Sequence, residues 1–348
     1  MPEFDPSSYP PFPSSPSYPC VSLSTISLSA LESHSPTEES RAFEAFKTRG
    51  FIYLDLSSSP NGEAILHGSE TIGRIAEETF SLPLDEKLKY LPASKDLFGY
   101  KRAGATKADP SGARDTAEFF NVSKNDMLKP PSEMDRKWPE VILKEQEVFA
   151  RYCRAAHTVG MDLVRMLGRR LGIEEEELVK RHRIDLPSGD HIRLTRGPAR
   201  KDPKMPEIQT PSHTDFGTIT ILMNWLGGLQ VWSESARSMG PLEPDTPGEW
   251  VWVKPKKGCA IVNLGDAAVR FTNGVLCSGR HRVTPAPEKQ GLYTRYSIVY
   301  FVRPNDDAVL QVLEGEHVPK AEKDEEAVPA KEWIYRQTAA LGNNTLDN

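Results

Sequence analysis

The chain has 348 residues, including 29 prolines and 24 glycines, with 38% hydrophobic and 26% charged side chains. That length admits one large domain or two and can bury a core without metal or disulfide staples. A formal net charge of −6, from 43 basic and 49 acidic residues, speaks against nucleic acid or an anionic membrane as partner, since both recruit clustered Lys and Arg. No apolar run reaches the length of a membrane span. Met1–Asp5 lacks the basic start and apolar stretch of a signal peptide. Cys20, Cys153, Cys259 and Cys277 form no Cys-x-x-Cys pair, so neither a disulfide framework nor a structural zinc site is expected. The expectation is a cytoplasmic protein acting on a small molecule, with no sequence signature of its oligomeric state.

Residues 1–20 hold seven prolines and five serines, a composition that reads as a disordered, solvated tail. Val21–Leu28 is a short β-like stretch. Ser35, Pro36 and Glu38 form a capping-box pattern that opens a helix carrying Phe43 and Phe46 and closing at Gly50. Phe51–Leu54 reads as a buried strand, residues 63–80 as a second helix, and Leu82–Leu84 as the lead into a helical turn over Asp85–Lys87. A long helix is expected from Pro139 to Leu171, stopping at Gly172, and a short acidic one over Glu174–Arg183. From Ile192 to Pro304, apolar runs rich in Val, Ile, Thr and aromatics alternate with Gly/Pro turns, an all-β pattern. Lys331–Leu341 reads as a terminal helix. The segments are a tail (1–20), a helical front (21–185), a β core (186–310) and a closing segment (311–348), the last three forming one composite domain of α+β character.

His213-Thr214-Asp215 is the only His-x-Asp triplet in the chain. In extended backbone, residues i and i+2 face the same way, so its imidazole and carboxylate can grip one ion. A hydrogen-bonded turn at a strand edge is the plain alternative. His281 begins a second β-like stretch, Ser278–Val283. Two imidazoles and one carboxylate at three corners of an octahedron are the facial triad of non-heme Fe(II) oxygenases. Next comes Arg295-Tyr296-Ser297 inside Thr294–Val302. Alternation puts Arg295, Ser297, Val299 and Phe301 on one face, with an arginine and a hydroxyl poised to clamp a carboxylate. The alternative there is a structural ion pair with a protein acid.

The ordered set of motifs resembles the Fe(II)- and 2-oxoglutarate-dependent dioxygenases, in the branch related to isopenicillin N synthase. The likeness runs over most of 21–341. It begins with Phe80-Ser81-Leu82-Pro83, Glu86-Lys87, Gly99-Tyr100 and Asp115–Phe120. It continues through His213–Gly217, Gly228–Val231, Asn263–Asp266, Thr272–Gly274 and His281–Val283, and ends at Arg295–Ser297. The resemblance implies a distorted double-stranded β-helix, a jelly roll with flanking helices. It implies His213, Asp215 and His281 as iron ligands, and Arg295 with Ser297 holding the far carboxylate of 2-oxoglutarate. The implied reaction uses O2, releases succinate and CO2, and hydroxylates, desaturates or rearranges a small molecule, in specialised metabolism.

One departure concerns the tyrosine that many relatives carry before a proline on the strand preceding the metal motif. Here that place is Gly197, which removes a cosubstrate contact, enlarges the pocket or moves the task elsewhere. Segments 233–249 and 285–294 also look longer than usual. Candidate substrate residues are Tyr100, Arg102, Phe120 and Arg196, in a pocket lined by 98–120, 193–197 and the terminal helix. Three rivals are an oxidase on the same scaffold that needs no 2-oxoglutarate and holds a substrate carboxylate with Arg295 and Ser297, a non-catalytic binding module, and a zinc hydrolase. The last lacks an evident general base beside the metal.

Overall fold

The computed structural model describes residues 4–93, 96–108, 112–200, 207–234, 247–321 and 327–340. Twelve strands build two facing sheets. In chain order they are β1 (Thr25–Ser27), β2 (Phe51–Asp55), β3 (Gly99–Lys101), β4 (Glu118–Ser123), β5 (His191–Gly197) and β6 (Thr210–His213). They continue as β7 (Ile219–Asn224), β8 (Leu229–Trp232), β9 (Trp250–Trp252), β10 (Cys259–Leu264), β11 (His281–Val283) and β12 (Arg295–Val302). The large sheet runs β1-β2-β10-β7-β12-β5-β4-β3 and the small one β6-β11-β8-β9. Apart from the parallel β1–β2 pair, the neighbours in both are antiparallel. This is a double-stranded β-helix, a mainly β fold with helices on one side. The large sheet takes β1–β4 from the part of the chain that reads as helical, so that front half contributes strands as well as helices.

Period-2 alternation decides what each face of the large sheet meets. Ile192 and Leu194 of β5, Ile219 and Ile221 of β7, and Tyr296, Ile298, Tyr300 and Val302 of β12 join the main core with the Pro60–Ser81 and Gln146–Leu171 helices. Gly160 lets the second helix approach β12 closely: a Cβ there would stand 2.5 Å from Val302 Cγ2. The opposite face packs on the small sheet through Phe51, Tyr53, Leu222, Leu229, Val231 and Ile261. Among the described residues no helix is long and apolar enough to cross a membrane.

Several expectations are corrected. Residues 4–20 are not a disordered tail. Phe4 and Phe12 are 3% and 7% exposed, and the Phe4 N–H donates to Glu77 Oε1 at 3.0 Å. A few aromatic anchors outweigh the Pro/Ser composition, because each buries a large apolar area for few ordered residues. Ser35 does cap the Pro36–Thr48 helix by position, but its side chain makes no capping bond. Glu38 instead accepts from Ser27 N–H and Arg41 Nη1, both at 2.6 Å. The helix expected over 139–171 is two, Glu140–Lys144 and Gln146–Leu171, broken at Glu145 (φ −108, ψ 20). It ends as expected, with Gly172 in the left-handed region (φ 65). The terminal helix is Ala330–Ala340; Leu341 and most of 233–249 lie outside the described residues.

Candidate metal centre and anion clamp

His213 closes β6 and His281 opens β11, and the two are direct partners across that antiparallel pair. Their rings lie 4.3 Å apart, centroid to centroid. Asp215 sits in the turn between β6 and β7. Its Oδ1 is 3.8 Å from His213 Nε2 and 4.0 Å from His281 Nε2, and one ligand atom from each of the three residues falls within 4.8 Å of the others.

Hydrogen bonds determine which atoms are free. His213 Nδ1 donates to Pro211 O at 2.8 Å and His281 Nδ1 to Gly279 O at 3.0 Å. A carbonyl can only accept, so both Nδ1 atoms carry the proton and both Nε2 lone pairs point at Asp215. Asp215 Oδ2 accepts from Thr220 Oγ1 at 2.7 Å and Asn263 Nδ2 at 2.8 Å, leaving Oδ1 for the centre. Burial pushes the Asp215 carboxyl up, but His281, His213 and those two hydrogen bonds outweigh it and hold it down to about 2. Burial, and then the neighbouring His281, bring His213 down to about 4, so it is neutral at pH 7. Two imidazole nitrogens and one carboxylate oxygen form a donor set that fits Fe(II), with one face left open.

Arg295 and Ser297 lie on the same sheet face as Thr220, and both are nearly fully buried. Arg295 Nε donates to Gly227 O at 2.8 Å and Nη1 to Ser297 Oγ at 3.1 Å. No acidic side chain pairs with this guanidinium among the described residues, and burial alone takes it down to about 10. A buried cation without a protein counter-ion is suited to an anionic ligand. Gly228 makes room for it. Its φ is +111, and a Cβ would stand 2.5 Å from Thr284 O and 3.0 Å from Arg295 Nε.

Gly197 pairs with Arg295 in register. A Cβ there would come within 2.1 Å of Gln209 Oε1, so the place is taken by the buried Gln209 side chain and the pocket is not simply enlarged. Gln209 Nε2 donates to Pro198 O at 3.2 Å, and its Oε1 is buried without a partner.

The four substrate candidates do not join this site. Tyr100 and Phe120 are register partners in the main core, on the helix side of the sheet. Tyr100 OH donates to Glu118 Oε2 at 2.5 Å, and Glu118 also binds Lys87 Nζ at 2.9 Å and Arg196 Nη1 at 3.0 Å, a buried structural network. Arg102 is exposed. A shift of one residue along a strand exchanges faces, and the site side belongs to Lys101, Phe119, Asn121 and Arg193. Register pairs the first two with each other and the last two with each other. The apolar pair Ile192 and Leu194 was the available signal for that parity. Thr220 and Asn263, which orient Asp215, carry no comparable mark.

Two comparisons with known families cover most of the chain. Residues 188–304 match the 2OG-Fe(II) oxygenase superfamily, and residues 19–141 match the N-terminal region of non-haem dioxygenase in morphine synthesis. The 2-oxoglutarate-dependent dioxygenase gloE of Glarea lozoyensis is 31% identical over 294 residues, covering 84% of this chain and 83% of its own. A 2-oxoglutarate-dependent dioxygenase of Aspergillus fumigatus is 31% identical over 319 residues, 88% of this chain and 81% of its own. In fold, a Neurospora crassa protein solved in complex with alpha-KG and 5-formyluracil superposes with a TM-score of 0.70 at 21% identity, over 91% of this chain and 96% of that one.

Proposed function

The chain belongs to the 2-oxoglutarate–Fe(II) oxygenase superfamily, an enzyme family that uses Fe(II), 2-oxoglutarate and O2, and on that premise we propose the roles of its residues. His213, Asp215 and His281 hold the iron, and Arg295 with Ser297 holds the far carboxylate of 2-oxoglutarate. The observation that carries this is the convergence of two Nε2 lone pairs and one free carboxylate oxygen, next to a buried guanidinium with no acid of its own. When bound, the iron supplies the redox chemistry that couples decarboxylation of the oxo acid to oxidation of a second molecule by O2.

The chain's part is positional. Pro211 O and Gly279 O fix the imidazole tautomers, while Thr220 and Asn263 fix which Asp215 oxygen faces the metal. Gly227 O and Ser297 Oγ aim the Arg295 fork, which then needs no reorganisation to meet a carboxylate. The apolar side chains of the inter-sheet layer, Leu222, Leu229 and Val299 among them, keep the centre dry.

The substrate is a small organic molecule of specialised metabolism, as the relatives' names suggest, and both halves of the chain work as one catalytic unit in the cytoplasm without nucleic acid or membrane. The roles are tested by adding Fe(II) and then 2-oxoglutarate to metal-free protein without oxygen and recording the visible spectrum. A weak charge-transfer band that needs both additions and disappears in His281→Ala is expected. Iron binding without that band would remove 2-oxoglutarate from Arg295 and favour a substrate carboxylate there.

A further inference from the structure

Beyond the triad, the site wall carries two guanidinium groups that the roles above do not use. Arg193 stands on β5, on the face shared with Arg295 and Ser297. Its Nε donates to Asn121 Oδ1 at 2.8 Å. Its guanidinium carbon lies 4.3 Å from the Phe119 ring centroid and 5.0 Å from that of Phe301, rings supplied by the two strands flanking β5. Arg303, just after β12, lies 5.4 Å from the same Phe301 ring. Its stem threads between Gly189 and Gly217, where added Cβ atoms would come within 2.9 and 3.1 Å of it. Its Nε and Nη1 are buried without a hydrogen-bond partner.

No acid neutralises this pair among the described residues. Both arginines feel the charge of Asp215, and Arg193 also acts on His213, so the pair borders the triad. Asp190 is already engaged: Oδ1 accepts from the Arg303 backbone N–H at 2.7 Å, Oδ2 lies 3.3 Å from both His157 Nδ1 and Tyr300 OH, and Lys124 adds its charge. Asp306 pairs with Lys331, and Lys101, the third cation of this wall, pairs with Asp115. Burial and then the charge of Arg303 take Arg193 down to about 10, and burial takes Arg303 to about 10. Leaving two guanidiniums so close to each other without a counter-ion is costly. The bound cosubstrate does not relieve them, because the charges of Fe(II), Asp215, Arg295 and a doubly ionised 2-oxoglutarate already cancel. Arg193 is only partly buried, so part of it stays open to a ligand.

Resting on the iron and 2-oxoglutarate roles given above, we propose that Arg193, backed by Arg303, is the anion-binding group of the substrate pocket, and that the molecule oxidised is an organic acid whose carboxylate docks there. Asn121 holds Nε, so the two terminal nitrogens form the free edge, a fork that matches two carboxylate oxygens. The Phe119 and Phe301 rings offer apolar surface for the rest of such a molecule.

The test is anaerobic calorimetry on the protein loaded with Fe(II) and saturating 2-oxoglutarate, which occupies Arg295. The probes are aryl- and alkyl-carboxylates, each measured beside its own primary amide. Acids that bind are expected to do so at least about tenfold more tightly than their amides. Arg193→Gln is expected to erase that preference, Arg193→Lys to restore part of it, and Arg303→Gln to weaken it, with melting curves checking that each variant folds. The band formed with 2-oxoglutarate is expected to be unchanged in Arg193→Gln. The proposal is overturned if no acid in the panel outbinds its amide, whether both bind or neither does, or if the preference survives Arg193→Gln. Loss of the 2-oxoglutarate band in that variant would also overturn it, by moving Arg193 to the cosubstrate. If wild type shows no band, the iron and 2-oxoglutarate roles have failed instead. Acid against amide on metal-free wild type and Arg193→Gln then still decides the place of Arg193.

Discussion

Along β12, Tyr296, Ile298, Tyr300 and Val302 turn toward the helices, while Arg295, Ser297, Val299 and Phe301 turn toward the small sheet. Neighbouring strands repeat the contrast: Ile192 and Leu194 against Arg193 and Thr195 on β5, Ile221 against Thr220 on β7. Both faces are buried, so the difference is not one of inside and outside. The helix face is filled mainly by apolar side chains, with its chief polar cluster, Tyr100, Lys87 and Arg196 around Glu118, paired within the protein. The other face holds polar groups whose partners are incomplete within the protein, Arg295 and Arg303 above all. Buried polar groups are normally bonded in the native state, so a face that leaves them short is built around something the chain itself does not supply.

The contrast can be broken most severely at the metal. His281→Ala is expected to reduce succinate release to background while the melting temperature stays near that of the metal-free wild type, measured by coupled assay and circular dichroism. Retained turnover would remove His281 from the triad. A matched pair on β12 then separates the two faces. Ile298→Ala, on the helix side, is expected to cost about 2–5 kcal/mol of stability in denaturant unfolding with little change in 2-oxoglutarate affinity. Arg295→Ala is expected to do the opposite, weakening 2-oxoglutarate by about 2–4 kcal/mol with stability nearly kept. Equal effects of the two on both readouts would mean that the faces are not functionally distinct.

A finer probe is Gly228→Ala. Only a residue that tolerates φ +111 fits there, and the new methyl group would press on Arg295 Nε. A loss of about 1–3 kcal/mol in 2-oxoglutarate binding is expected, shared with some loss of stability; full affinity would show that the Arg295 fork has slack. The smallest effect is one of pH, away from the site. Burial takes His182 from 6.5 to about 4; its Nδ1 donates to Leu178 O at 2.8 Å, and its Nε2 accepts from Thr218 Oγ1 at 2.7 Å. The unfolded chain takes up that proton first, so the stability this histidine contributes is present above about pH 6.5 and is lost as pH falls toward 4. Wild type is therefore expected to lose melting temperature over that window more steeply than His182→Gln. Parallel curves would show that His182 is not held neutral.

What could be read before folding depended on how local the signal was. The triad and the Arg-x-Ser pair were legible because each is a short motif, and because alternation along Arg295–Val302 needs only the strand itself. The substrate wall was not. Segment alone points to Tyr100, Phe120 and Arg196, but which side of a strand faces the site depends on pairing with β4 and β12, and the opposite parity presents Phe119 instead of Phe120 and Arg193 instead of Arg196. The break at Glu145 has no Gly or Pro to announce it. The leader misled for another reason. Composition averages over twenty residues, whereas docking rests on a few particular contacts, with Phe4 and Phe12 the most deeply buried.

That leader also bears on how the molecule comes together in time. Phe4 sits edge-on to Trp225 at 4.8 Å and to Tyr296 at 5.7 Å, and fills the notch over Gly73. Pro10 O accepts from Gln290 Nε2 at 2.8 Å, Gln290 Oε1 accepts from Gly227 N–H at 2.9 Å, and Gly227 O is what Arg295 Nε binds. These early residues therefore have no seat until almost the last strand has been made. Closing so long a loop adds little to the equilibrium cost, but it makes the step late. Until the leader docks, the backbone behind the Arg295 clamp lacks its outer support, so the capacity to grip a carboxylate matures after the sheets have already formed.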